Sequence, residues 1–128
     1  MTIVVGYRPN EVGEVALDHA IARAKASGSR LVLVNVSRDQ EMEDEDFVRG
    51  YELGELRMKL GNAGLPGYDF RQPLGVDTAG LILEAVAVEE AELLVIGLRH
   101  RSAVGKFLMG SVAQKLLMDC PVPVLSVK

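Results

Sequence analysis

The chain has 128 residues, 48% of them hydrophobic, and its 18 acidic and 14 basic side chains give a formal net charge of −4. This acidic balance argues against general nucleic-acid binding, because affinity for a phosphate backbone requires many Lys and Arg contacts. The single cysteine, Cys120, excludes an internal disulfide and a multi-cysteine metal site, and it suits a reducing compartment.

The length predicts one domain over residues 1–128, large enough to bury a core without metal or disulfide support. The first residues show no basic leader followed by a long apolar stretch. No segment approaches the roughly 20 apolar residues that span a bilayer. We therefore expect a cytoplasmic protein with no membrane partner.

Strand and helix patterns alternate along the first half of the chain. A β-branched, apolar run predicts a strand at Thr2–Tyr7, and a helical stripe follows that ends at Gly28. A second strand is predicted at Leu31–Val36, and the acidic stretch Glu41–Asp46 leads into a second helix. The predicted apolar positions are Val15, Leu17, Ala20, Ile21 and Ala24 in the first helix, and Phe47, Tyr51, Leu53, Leu56 and Leu60 in the second.

The alternation continues in the second half. A short third strand is predicted at Tyr68–Gln72, and Asp77 or Thr78 caps the helix that follows. That helix carries Leu81, Ile82, Ala85 and Val88 as its apolar positions. The remaining predicted elements are a strand at Leu93–Ile96, a helix from Ser111 to about Asp119, and a strand at Val122–Val127.

This alternation predicts an α/β fold with a doubly wound, five-stranded parallel sheet and helices on both faces. In a sheet of order 3-2-1-4-5, a ligand binds outside the carboxyl ends of the strands where the order reverses, between the first and fourth strands. The rule brings Gly6, Tyr7 and Arg8 beside the loop Gly97–Ser111.

The loop Gly97–Ser111 combines positive charge with the start of a helix. The first N–H groups of a helix have no intrahelical partner and carry partial positive charge, which suits a phosphate. Arg99, His100, Arg101 and Lys106 add basic side chains in an otherwise acidic protein. The sequence therefore predicts an anion site here.

Two common nucleotide motifs are absent. A P-loop requires Ser or Thr after its Gly-Lys pair and lies after the first strand, whereas Gly105–Lys106 is followed by Phe107 and lies after the fourth. A dinucleotide fingerprint requires three glycines after the first strand, and Gly6 stands alone until Gly13. A P-loop hydrolase and a nicotinamide or flavin enzyme are therefore not expected.

A longer pattern carries a family resemblance. Gly97, two residues, His100, nine residues and then Gly110–Ser111 follow the spacing G-x2-G-x9-G-[ST], with one glycine replaced. With the order and spacing of its elements, the whole chain resembles a single-domain universal stress protein of the adenine nucleotide alpha hydrolase-like superfamily. In ATP-binding members, this glycine loop folds around the phosphates and the ribose.

The resemblance implies a protein that binds ATP or a related adenine nucleotide, with or without Mg²⁺, as a ligand or switch in a stress response. Backbone N–H groups of the loop, the Ser111 hydroxyl and nearby Arg or Lys side chains would hold the phosphates, and Val36 would touch the base. The nucleotide-binding residues predicted in this way are Gly6, Tyr7, Arg8, Val36, Gly97, Arg99, His100, Arg101, Gly110, Ser111 and Val112.

The resemblance also implies a homodimer. The ending CPVPVLSVK is similar to the family's final strand, which commonly pairs with its twin across a dimer axis. An apolar strand at the edge of a sheet is a liability unless another chain covers it. We therefore expect the strand at Val122–Val127 to form the seam.

Two departures from the family pattern keep a second hypothesis open. Arg8 stands where nucleotide-binding members usually have an acidic residue, and a guanidinium only donates hydrogen bonds. His100 replaces a glycine. The alternative is a dimeric interaction module of the same fold that binds no nucleotide, in which Gly97 and Gly110–Ser111 only end a strand and cap a helix.

No catalysis is predicted. The sequence shows no nucleophile with a base and an orienting group, no carboxylate pair placed across a site, and no metal-ligand cluster. A slow ATPase is the weakest hypothesis, because phosphoryl transfer needs Mg²⁺ ligands and a group that positions water.

Overall fold

The computed structural model describes residues 1–37, 48–98 and 110–128. Its elements, in chain order, are β1 (Thr2–Gly6), α1 (Glu11–Ser27), β2 (Arg30–Val34), α2 (Gly50–Gly61), β3 (Tyr68–Arg71), α3 (Thr78–Val88), β4 (Leu93–Gly97), α4 (Ser111–Asp119) and β5 (Val124–Val127). The strand order is β3-β2-β1-β4-β5, and every neighbouring pair is parallel. The predicted α/β fold and strand order are confirmed.

The strands send alternate side chains into two apolar layers. Ile3 and Val5 of β1 pack with α1 and α2, whereas Val4 packs with α3 and α4. β2 and β4 divide in the same way, so helices cover both faces of the sheet. Burial on both faces explains why these strands are continuous apolar runs in the sequence.

Helix α1 has clear signals at both ends. The Asn10 side chain accepts a hydrogen bond from the N–H of Gly13 at 2.7 Å, and Gly28 ends the helix with a left-handed φ of 67°. Among the described helices α1 is the longest, with 17 residues. No helix in the described ranges is long and apolar enough to cross a membrane.

Two predicted apolar positions lie in solvent. Tyr51 is 81% exposed, because nine residues, or two and a half turns, separate it from the buried Leu60 on the other side of α2. Val88 is 69% exposed, because it lies two residues beyond the buried Val86, more than half a turn around α3. Phe47 and the acidic stretch Glu41–Asp46 lie outside the described residues.

Four of the five strands are shorter than predicted, whereas β4 extends one residue further, to Gly97. β2 ends at Val34, and Val36 follows the strand. β5 begins at Val124, after Pro123, since proline has no N–H to give to a sheet. The central register is nevertheless as the topology requires, with Gly6 of β1 beside Ile96 of β4.

An ion cluster lies at the β3 edge of the sheet. Arg30 contacts Glu89 at 3.2 Å and Asp69 at 3.6 Å, and Arg71 contacts Asp69 at 2.9 Å and also Glu89. These four side chains come from β2, from β3 and from the carboxyl end of α3. They place balanced charge on the edge strand β3, whereas β5 forms the opposite edge.

Candidate functional site

A cleft of about 190 Å³ opens at the carboxyl ends of β1 and β4, where the strand order reverses. The predicted site residues that line it are Gly6, Tyr7, Arg8, Val36, Gly97, Gly110, Ser111 and Val112. The topology thus brings together segments from both halves of the sequence. Arg99, His100 and Arg101 of the predicted site, and Lys106 of the basic loop, lie outside the described residues.

Two glycines let α1 lie against the ends of β1 and β4. A Cβ atom on Gly97 would overlap Val12 Cγ1 and lie 2.9 Å from the Val12 carbonyl oxygen. A Cβ atom on Gly13 would overlap the carbonyl oxygen of Arg8. The amino end of α1 therefore reaches the cleft only because both positions lack a side chain.

The amino ends of α1, α3 and α4 all border the cleft. At α1, the Asn10 side chain caps the helix. At α3, Asp77 accepts a hydrogen bond from the N–H of Gly80 at 3.0 Å. At α4 the N-cap is Gly110, which has no side chain to offer. No described side chain caps α4, and an anion suits its first N–H groups.

The described charges near the start of α4 do not oppose an anion. The first turn of α4 contains no acidic residue. Asp77 places a carboxylate beside the helix, with its Oδ1 3.6 Å from the Lys115 ammonium on α4. The Gly80 N–H and the Lys115 charge hold the pKa of Asp77 below its ordinary value, so this side chain stays committed to its cap and its ion pair.

The part of the cleft between β2 and α3 is apolar. Val34, Val36 and Ile82 line it, and Ile82 Cδ1 lies 3.2 Å from where a Cβ on Gly6 would be. Thr78, the first residue of α3, also lines the cleft and is only 8% exposed. The described lining thus combines apolar side chains with the N–H groups at the start of α4, which suits a ligand with a flat ring and an anionic group.

Tyr7 borders the cleft, but its hydroxyl is used elsewhere. The side chain is buried on the face covered by α1 and α2, and the hydroxyl donates a hydrogen bond to Glu14. Burial and the Glu14 carboxylate raise the pKa of Tyr7 well above its ordinary value. Glu14 also accepts from Lys59 at 3.1 Å, and Lys59 contacts Asp18 at 2.7 Å. Tyr7 therefore links β1 to α1 and α2.

Asn35 holds the chain around the cleft, and sequence reasoning missed it. Its Nδ2 donates to the Tyr7 carbonyl at 3.0 Å, and its Oδ1 accepts from the Val48 N–H at 2.9 Å. The same oxygen accepts from Gln72 Nε2 at 3.2 Å. The only sequence signal is an amide at the end of an apolar run, and a buried amide must satisfy its hydrogen bonds.

A second cavity, of about 280 Å³, lies between α1 and α2 and shares Tyr7 and Asn10 with the cleft. It is lined by Glu14, Glu52 and Glu55, and the ammonium of Lys59 there is already paired. It lies away from the amino ends of α3 and α4. The cleft at the reversal of strand order is therefore the candidate site.

A sequence model described as the universal stress protein family matches residues 1–128. The chain belongs to the universal stress protein family. It is 44% identical to a universal stress protein of Mycolicibacterium smegmatis over 126 residues, which cover 98% of this chain and 96% of the relative. The predicted family resemblance is confirmed.

Solved universal stress proteins share the fold. One, in complex with cAMP, has a TM-score of 0.79 and 22% identity, covering 100% of this chain and 97% of that one. The universal stress protein from Archaeoglobus fulgidus in complex with dAMP has a TM-score of 0.61 and 21% identity, covering 99% of this chain and 96% of that one. At these identities the likeness concerns the fold.

Proposed function

We propose that the protein binds ATP or a related adenine nucleotide in the cleft between β1 and β4. The observation that carries the proposal is the amino end of α4, which opens on the cleft with Gly110 as its N-cap. The phosphates would accept hydrogen bonds from the N–H groups at Ser111 and Val112. Arg8 lines the same cleft, and guanidinium donors suit phosphate oxygens.

The base would occupy the apolar end of the cleft. Val34, Val36 and Ile82 provide an apolar wall there, next to the site for the phosphates. Complexes of universal stress proteins with cAMP and dAMP support an adenine nucleotide as the ligand. We propose that the nucleotide is a ligand or switch in a stress response, and that Mg²⁺, when bound, enters with the phosphates.

Calorimetric titration of the purified protein with ATP, ADP, AMP and cAMP tests this function. Gly110→Val is the decisive variant: no described atom lies within 4 Å of a Cβ there, so the fold accepts the side chain while the ligand meets it. We expect a loss of affinity of about tenfold or more, because phosphate can no longer approach the N–H groups.

Gly54→Val is the matched control, since it places the same side chain in open space on α2. It should leave the affinity unchanged. If the parent protein gives no heat of binding and shows no competition with any of the four nucleotides, nucleotide binding is refuted. That result would favour the dimeric interaction module.

We also propose that two chains pair along β5. Pro123 accepts a hydrogen bond from Leu94 of β4 at 3.0 Å, and Val127 accepts one at 2.6 Å from Leu98, which follows β4. Because backbone groups alternate in direction along a strand, Val124 and Ser126 direct their N–H and C=O groups to the free edge. A second copy of the strand would satisfy these groups, and sedimentation at micromolar concentration measures the assembly.

A further inference from the structure

Thr78 is a nearly buried residue whose hydroxyl has no hydrogen-bond partner among the described residues. It is the first residue of α3 and is 8% exposed, yet its Oγ1 forms no hydrogen bond with the described residues. Within those residues, no side-chain nitrogen or oxygen is both sealed from solvent and unpartnered. The Thr78 hydroxyl is therefore open to the cleft that the residue lines.

Capping does not explain this threonine. The N-cap of α3 is Asp77, whose carboxylate takes the Gly80 N–H. Thr78 lies one residue further on, where a helix needs no hydroxyl, and valine would fill the same volume. A nearly buried hydroxyl that forms no internal hydrogen bond is costly unless something else bonds to it.

The surroundings of Thr78 indicate which part of a ligand it meets. Ile82 lies one turn further along α3 and approaches Gly6, which pairs with Val34 of β2. Thr78 therefore lies on the side of the cleft formed by β1, β2 and α3, whereas the proposed phosphate donors at Gly110 and Ser111 belong to the start of α4. A single polar group in an apolar wall fixes the orientation of a flat ring and discriminates between rings.

We infer that Thr78 reads the nucleobase: its hydroxyl oxygen accepts a hydrogen bond from the 6-amino group of the adenine. The inference deepens the proposed function and rests on it. A threonine hydroxyl both donates and accepts, so it can accept from the amino group while donating to a neighbouring ring nitrogen. The residue thereby makes the cleft selective among purines.

The test compares two ligands and two forms of the full chain by calorimetry. The ligands are ATP and purine riboside 5′-triphosphate, which lacks the 6-amino group. The parent protein should bind ATP about tenfold more tightly than the analogue, because the analogue lacks the amino group from which the hydroxyl oxygen accepts a hydrogen bond. Thr78→Val should weaken ATP binding about tenfold and bind the two ligands alike.

Two further variants serve as controls. Thr78→Ser keeps the hydroxyl and should keep the preference for ATP. Thr2→Val makes the same chemical change in β1, at the amino ends of the strands, and should alter neither affinity.

The outcomes separate this inference from the proposed function. If the parent protein binds no nucleotide, both fail. If it binds ATP and Thr78→Val binds it equally well, the inference is overturned and nucleotide binding stands. If Thr78→Val weakens both ligands by the same factor, the hydroxyl contacts the sugar or the phosphates, and base reading is overturned.

Discussion

Gly97 has no room for a side chain, because Val12 of α1 fills the space where its Cβ would lie. The amino end of α1 is thereby held against the end of β4, and Asn10 and Gly13 reach the cleft. A glycine that the spacing pattern associates with a ligand therefore also has a packing role. The same residue sets both the position of a helix and the shape of the site.

Gly97→Ala should destabilise the protein by about 1–3 kcal/mol, because the backbone of α1 must move away from the new methyl group. Urea denaturation measures the free energy of unfolding. Nucleotide affinity should fall in parallel, since the displaced end of α1 lines the cleft.

Gly54→Ala is the control for this change. The position lies inside α2 with open space around it, so alanine should stabilise the protein by about 0.5–1 kcal/mol. Equal stability of the two alanine variants would contradict the packing role of Gly97.

At the residue scale the sequence predicts only part of the cleft. The spacing pattern includes Gly97 and Gly110–Ser111, which line the cleft. Asn35 is missed and Thr78 is predicted only as a possible helix cap, because a pattern of apolar positions does not reveal which polar atoms find partners after folding. The positions of Arg99, His100 and Arg101 in the site stay predictions.

At the scale of elements, helix existence follows from the sequence more closely than helix orientation. The stripe in α1 and its end at Gly28 are confirmed, because the cap and the periodicity agree. In α2 the leucines Leu56 and Leu60 decide which side is buried, and Tyr51 in the first turn lies on the other side. Periodicity over a few residues cannot fix the rotation of a helix on its sheet.

The hydrogen bond between Tyr7, which follows β1, and Glu14 of α1 makes the stability of the protein depend on pH. Folding raises the pKa of Tyr7, so the folded protein keeps the hydroxyl proton at pH values where the unfolded chain, near pH 10, releases it. The free energy of unfolding should therefore fall as the pH rises above about 10.

Tyr7→Phe should lower the free energy of unfolding at about pH 8 by about 1.5 kcal/mol, because the hydrogen bond to the Glu14 carboxylate is lost. It should also reduce the loss of stability between about pH 8 and pH 11. Urea unfolding of both proteins at the two pH values measures the difference. An identical loss in the two proteins would argue against the Tyr7–Glu14 bond.

At the scale of the whole molecule, the alternation of strands and helices was enough to predict the sheet. Right-handed crossovers leave few arrangements for five parallel strands, and the observed order is the one expected. The site location follows from that order, since ligands bind where it reverses. Assembly does not follow from the strand order in this way. The sequence predicts the edge strand β5 but does not identify the chain that pairs with it.

Ser126→Pro tests the pairing of two chains along β5. The Ser126 N–H points away from β4, so proline removes a donor to the partner and leaves the internal sheet bonds in place. Sedimentation should show a dimer for the parent protein and a monomer for the variant. Ser126→Ala keeps the N–H and should remain dimeric. A monomeric parent protein, or a dimeric proline variant, would refute the β5 seam.

The charged cluster of Arg30, Asp69, Arg71 and Glu89 has a consequence for stoichiometry. Charges on an edge strand discourage pairing with another sheet, so β3 is less suited to strand addition than the opposite edge strand β5. A molecule that adds a strand at only one edge of its sheet can pair with only one other chain. Pairing along strands would therefore stop at two chains, and the dimer proposed through β5 would be protected against growth into a filament.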